Sequence, residues 1–123
     1  MCDELNPCLY RAVLDGLPAA IYIVGRDGRI VYWNDAAERF TGYKRQEAVG
    51  RPCRERYLDD GEGATAKSAD CCSSLFEALQ DGRRRESSRL LRHRNGQVIP
   101  VAVRTSAVRD RHGAIIGVAE SLE

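Results

Sequence analysis

A long hydrophobic run is the first thing missing from this chain of 123 residues. Its longest apolar stretch, Gly16 to Gly25, is about ten residues long and holds Pro18, where a membrane-spanning helix needs about 20. No basic segment precedes that stretch, so no secretory signal is read there. An excess of charge of either sign is missing too. Nineteen Lys and Arg against eighteen Asp and Glu leave +1, which gives no global attraction to nucleic acid or to an anionic membrane. Cysteines at metal-site spacing are also absent. Cys2, Cys8, Cys53, Cys71 and Cys72 are odd in number and contain no CxxC pair, a usage that fits a reduced, cytoplasmic chain better than a disulfide framework. Paired catalytic carboxylates, a Ser-His-Asp order and a phosphate-cradling glycine loop are absent as motifs, and no enzyme is expected. The length is that of one domain able to bury a core without staples.

What is present is an ordered set of short elements. Leu5, Leu9, Val13 and Leu17 recur every four residues and predict a short helix with one apolar stripe. Residues 1–16 are read as a flanking segment and 17–123 as the domain proper. The stretch IYIVGRDGRIVYWNDAAERFTGY, Ile21 to Tyr43, holds two apolar strands joined at Asp27-Gly28, a strong hairpin signal, and then a helix. Asp35 with Glu38 has the form of a capping box, Ala37, Phe40 and Thr41 share one side, and Gly42 ends the helix. Asp59 to Ala69 reads as a surface loop. A helix is expected from Ser68 or Asp70 to Gly82, with Cys72, Leu75, Phe76 and Leu79 as its apolar stripe. Glu86–Arg94, Gln97–Arg109 and Ala114–Leu122 read as three strands, separated by Asn95-Gly96 and by Asp110 to Gly113. Two strands, several short helices and three more strands imply an α+β domain, a five-stranded antiparallel sheet with helices packed on one face. Ile21, Ile23, Trp33, Phe40, Tyr57, Leu75, Leu79, Leu91, Val101 and Val103 are the expected core or cavity residues. Arg83, Arg84, Arg85, Arg89, Arg92 and Arg94 have no aromatic residues interleaved and read as a solvated face, not a nucleic-acid site.

From about Leu14 to Leu122 the chain resembles a PAS domain. The pieces that carry the resemblance are Asp27-Gly28 followed by Trp33-Asn34, Phe40-Thr41-Gly42-Tyr43, Val49-Gly50-Arg51, Asn95-Gly96, Ile99-Pro100-Val101 and Ile116-Gly117. The resemblance implies a sensory and dimerising module: a cavity between sheet and helices for a ligand or cofactor, a homodimer, and an effector domain beyond the carboxyl end. Such modules stand at the front of histidine kinases, diguanylate cyclases and transcription activators. A ligand-free docking or dimerisation module stays open as the alternative. Fold alone does not name what is sensed.

Gly50-Arg51-Pro52-Cys53-Arg54 is similar to the motif around the reactive cysteine of flavin-binding LOV domains, with Pro52 in place of an Asn. The positions where that branch bonds flavin through side-chain amides hold Leu91, Val101 and Ala119, none with a side-chain hydrogen-bonding group, so flavin is not expected. Haem is not expected either, because Asp70 to Gly82 contains no histidine and His93 and His112 fall at a strand end and in a turn. Leu91 and Val101 favour a small apolar ligand or a filled core. Cys53 precedes the loop while Cys71 and Cys72 follow it. Loop closure would bring these thiols together for zinc, an iron–sulfur cluster or redox chemistry, and the opposing reading makes Cys72 a small hydrophobe on its helix.

Overall fold

The computed structural model describes residues 7–52, 58–59 and 73–123. In chain order the elements are α1 (Pro7–Gly16), β1 (Ala20–Gly25), β2 (Ile30–Trp33), α2 (Asp35–Thr41), α3 (Arg45–Ala48), β3 (Leu58–Asp59), α4 (Ser73–Asp81), β4 (Arg85–Arg92), β5 (Val98–Arg109) and β6 (Ile115–Leu122). The architecture is α+β. Five antiparallel strands lie in the order β2-β1-β6-β5-β4, and the two residues of β3 extend the sheet beyond β4. The first and last strands therefore meet in the middle of the sheet, where β1 pairs with β6 from Ala20↔Leu122 to Gly25↔Gly117. The final three strands begin and end within two residues of the sequence expectation.

One face of this sheet carries the core. Ala20, Tyr22, Val24, Ile30, Trp33, Leu91, Val101, Val103, Val118 and Leu122 cluster there with Ala36, Ala37, Ala48, Ala78 and Leu79 from α2, α3 and α4. Small alanines on the helices let them lie close to the strands. The β5 alternation behaves as its sequence implies: Val101, Val103 and Thr105 are buried while Ala102 and Arg104 are exposed. Pro100 lies in an interior strand opposite Leu90 of β4. On the other side of β5, Ala102 donates its amide to the Glu123 carbonyl and accepts from the Glu123 amide.

The expectation for β1 has the wrong parity. Tyr22 and Val24 face the helices, whereas Ile21 and Ile23 lie half-buried on the opposite face. The segment IYIV is apolar at both parities, so alternation alone cannot choose a face. The pairing with β2 makes the choice. Register runs Tyr22↔Trp33, Ile23↔Tyr32, then Val24↔Ile30, which leaves Val31 as the extra residue of a bulge. That bulge turns both Ile30 and Trp33, three residues apart, toward the same core and leaves Val31 exposed.

Two further corrections concern polar residues. The cap of α2 is Asn34, whose Oδ1 accepts from the Ala37 amide; Glu38 instead accepts from the Arg45 amide. With the cap one residue earlier, the amide served is that of Ala37, and the Glu38 amide that the expected box would have served donates to the Asn34 carbonyl instead. The arginine cluster is not uniformly solvated. Arg85 is held by Asp81 and Glu77 of α4, and Arg94 binds Glu47 while its guanidinium lies 5.6 Å above the Tyr43 ring. Charges that sequence spacing assigns to solvent here tie the β4–β5 hairpin to the helices.

Candidate functional site

Trp33, Leu79, Leu91, Val101 and Val103 come together on the helix-covered face as the sequence expects. Phe40 is only partly buried against this cluster and lines a recess of about 460 Å³ with Pro18, Ala20, Ala36, Arg39 and Leu122 at one end of the sheet. Ile23 does not join them. Leu75 belongs to α4, but its side chain, like Tyr57, Cys53, Cys71 and Cys72, lies outside the described residues. Ala119, the third position compared with flavin-binding relatives, sits on the opposite face beside Ile23.

The residue that sequence reasoning missed is Glu120. It is 5% exposed on the core face of the sheet, between the buried Val118 and Leu122 on the same strand. Register places it in a row that crosses all five long strands: Trp33 opposite Tyr22, Tyr22 opposite Glu120, Glu120 opposite Thr105, and Thr105 opposite Arg85. Three of these contacts are specific. Trp33 and Tyr22 stack with centroids 5.3 Å apart. The Tyr22 hydroxyl donates to Glu120 Oε1 at 2.5 Å, and the Thr105 hydroxyl donates to Oε2 at 2.9 Å. Burial pushes the Glu120 carboxyl up from its ordinary range, against the opposing pull of the Tyr22 and Thr105 hydroxyls and the Arg89 charge. The signal for this residue is legible in Val118-x-Glu120-x-Leu122, a carboxylate on the bulky parity of a strand whose other parity is Gly117, Ala119 and Ser121.

Both ends of the row are anchored in the helical layer. Trp33 donates Nε1–H to the Tyr43 carbonyl between α2 and α3. Arg85, 22% exposed, meets Asp81 at the end of α4. A second network fixes α1 to the sheet. Asn34 donates to the Leu14 and Ala19 carbonyls and accepts from the Ile21 and Ala37 amides, while the Tyr32 hydroxyl donates to Asp15, which also binds Arg45. Burial and the Asp15 carboxylate push the Tyr32 phenol well above its usual range. Farther along α1, Leu9, Tyr10 and Val13 stand 42–56% exposed.

A five-stranded sheet in this order, with short helices on one face and a polar row set into its apolar floor, is the architecture of a small α+β sensory domain. The chain belongs to the PAS family, whose fold model matches residues 8–120. Solved PAS domains share the architecture. That of a Colwellia psychrerythraea protein superposes with a TM-score of 0.76 at 18% identity, over 96% of each chain. That of an HTR-like protein from Haloarcula marismortui gives 0.73 at 18% identity, over 93% of this chain and 87% of the other. A LOV protein of Rhodobacter sphaeroides gives 0.72 at 24% identity, over 93% and 63%. Among curated proteins, the signal transduction histidine-protein kinase AtoS of Escherichia coli (strain K12) is 26% identical over 113 residues. The match covers 92% of this chain and 16% of AtoS, so it relates one domain to part of a larger kinase. Among the described residues, no helix is long and apolar enough to cross a membrane.

Proposed function

We propose that the domain is a cytoplasmic sensor, itself non-catalytic, at the front of a bacterial signal-transduction protein. The kinship with AtoS favours a histidine kinase as its effector over a diguanylate cyclase or a transcription activator. A small ligand held between the core face of the sheet and the helices biases their packing, and through it a dimeric effector, between two states. The supporting observation is Glu120. A scaffold gains nothing from a carboxylate in its core, because burying one costs stability that apolar packing would not, and strongly perturbed titratable groups cluster at functional sites. Val103, Val101 and Leu91, at successive steps along the same face of β5 and β4, suit the body of an apolar ligand. Mass spectrometry of the natively purified domain tests this reading, with the expected result a small molecule released on denaturation. Its absence, together with no thermal shift on adding small apolar compounds, would sink ligand sensing.

The exposed stripe on α1 favours a second reading, dimerisation or docking without a ligand. Leu9→Lys with Val13→Lys should convert a dimer to a monomer in light-scattering chromatography; an unchanged mass argues against α1 as the interface. A thiol-based response at Cys53, Cys71 and Cys72 belongs to the same proposal. Metal analysis and thiol counting on anaerobically purified protein decide it, since no metal and five unperturbed thiols would end it.

A further inference from the structure

Glu120 is bonded in a way that admits two protonation states with different hydrogen-bond directions. Each carboxylate oxygen accepts one hydroxyl hydrogen, from Tyr22 on β1 and from Thr105 on β5, so the ionised side chain ties three adjacent strands together. A carboxyl group that gains a proton carries a donor of its own. For that donor to be satisfied by one of the two hydroxyls, the hydroxyl must accept instead of donate. Hydroxyl hydrogens rotate freely enough for either arrangement without moving the backbone.

The surroundings decide how much the proton matters. Arg89 on the neighbouring β4 is the charged group that acts on Glu120 from a distance, and it donates Nε–H to the Ser87 hydroxyl. Arg85, at the end of the row, is engaged by Asp81 and Glu77 of α4. Among the described residues, those buried on α2, α3 and α4 are Ala36, Ala37, Thr41, Ala48, Ala78 and Leu79, none of which titrates. Among the described residues, Glu120 forms no ion pair within contact distance. Its charge is therefore held by two neutral hydroxyls and a distant arginine in a low-dielectric setting. Adding a proton cancels a buried charge and reorders a row that ends at Trp33 and, through its indole N–H, at the Tyr43 carbonyl between α2 and α3.

We propose that the Tyr22–Glu120–Thr105 row is a proton-responsive switch, in which uptake of one proton at Glu120 reverses a hydrogen bond across β1, β6 and β5 and changes the packing of Tyr22 on Trp33. It rests on the sensor reading only in taking the sheet as the element that transmits a signal. The switch is measured on the domain alone without ligand or effector, so its failure leaves ligand sensing standing, and the reverse holds.

Trp33 is the single tryptophan of the chain, fully buried and stacked on Tyr22, which makes its fluorescence a local reporter. The wild-type domain is titrated from about pH 4 to about pH 9 beside Glu120→Gln and Tyr22→Phe. The expected result is a fluorescence transition in the wild type with its midpoint above the ordinary glutamate range, about 4.3. It disappears in Glu120→Gln and moves to higher pH in Tyr22→Phe, where the carboxylate loses a donor that stabilises its charge. A transition that survives with the same midpoint in Glu120→Gln belongs to another group and overturns the proposal, as does a flat wild-type titration. Should Glu120→Gln fail to fold, the carboxyl carbon shift of Glu120 in labelled wild-type protein gives the same answer by nuclear magnetic resonance. A Glu120 carboxyl that titrates at or below the ordinary value sinks the idea.

Discussion

Asn34 spends every hydrogen-bonding group of its side chain on backbone. Its oxygen closes the start of α2 and meets β1; its nitrogen holds the Leu14 and Ala19 carbonyls where α1 turns into the sheet. The residue is fully buried, so Asn34→Ala takes a partner from four backbone groups in a closed space, of which the Leu14 carbonyl keeps the Leu17 amide. At about 1–3 kcal/mol for each buried group left unsatisfied, and with some rescued by relaxation, a loss of about 3 kcal/mol or more is expected in urea denaturation. A loss below about 1 kcal/mol, the value of one surface cap, would mean the hub is dispensable. Gly117 has a different reason to be glycine. A Cβ there would lie 2.7 Å from the Val24 carbonyl oxygen, a backbone atom in the central β1–β6 pairing that cannot swing aside. Gly117→Ala should cost about 1–3 kcal/mol in the same measurement, and wild-type stability would refute the close approach.

The β4–β5 hairpin is held to the helical layer by its turn as well as by its strands. Arg94 donates its backbone amide to the Thr41 carbonyl at the end of α2, while its side chain binds Glu47 and covers Tyr43. Gly42, at φ 82°, lets this contact close: a Cβ there would stand 2.6 Å from His93 Cε1. The Lys44 amide and Arg94 together hold the Glu47 carboxyl below its usual range. A depressed carboxylate contributes stability above its unfolded value and loses it as pH falls through the folded one. The pair is exposed and screened by salt, so its effect is local. Amide protection factors across His93 to Gln97, taken against the intrinsic rate at each pH, should therefore fall on acidification well before global unfolding, and Arg94→Ala should abolish that pH dependence. Exchange rates in the turn that follow the core strands at every pH would contradict the latch. At the end of α4, Arg85 likewise holds Asp81 well below the carboxylate range, which fixes the point where the helix passes into β4.

Glu120 makes the whole molecule sensitive to pH in the opposite sense. Its carboxyl is raised by burial in the folded state, so the folded protein binds that proton more tightly than the unfolded chain. The resulting stability is complete below the unfolded glutamate value and is lost as pH rises through the folded value. Glu47 and Asp81 behave in the reverse way and lose their contribution in acid. Glu120→Gln removes one term and leaves the others. The wild type should therefore lose stability relative to Glu120→Gln as pH rises from about 4 to about 8, read as the difference in urea unfolding free energy. Parallel pH profiles for the two proteins would show that Glu120 titrates alike folded and unfolded.

The sequence alone determined the order of the elements apart from the two-residue β3, because hairpin dipeptides, helix stops and hydrophobic periods are local signals. Asp27-Gly28, Asn95-Gly96, Gly42 and Gly82 punctuate the chain where the structure turns. The face of β5 was legible for the same reason, since Val101, Val103 and Thr105 alternate with residues that cannot be buried cheaply. β1 lacked that contrast. Ile21-Tyr22-Ile23-Val24 is apolar at both parities, and only the bulge at Val31 and the pairing with Trp33 selected Tyr22 for the core. Glu120 was hidden by the same limit. Its strand pattern is visible in one dimension, but its neighbours Tyr22 and Thr105 are 98 and 15 residues away along the chain. A buried carboxylate is tolerable only where such distant hydroxyls converge on it, and strand register, a property of the assembled sheet, is what brings them there.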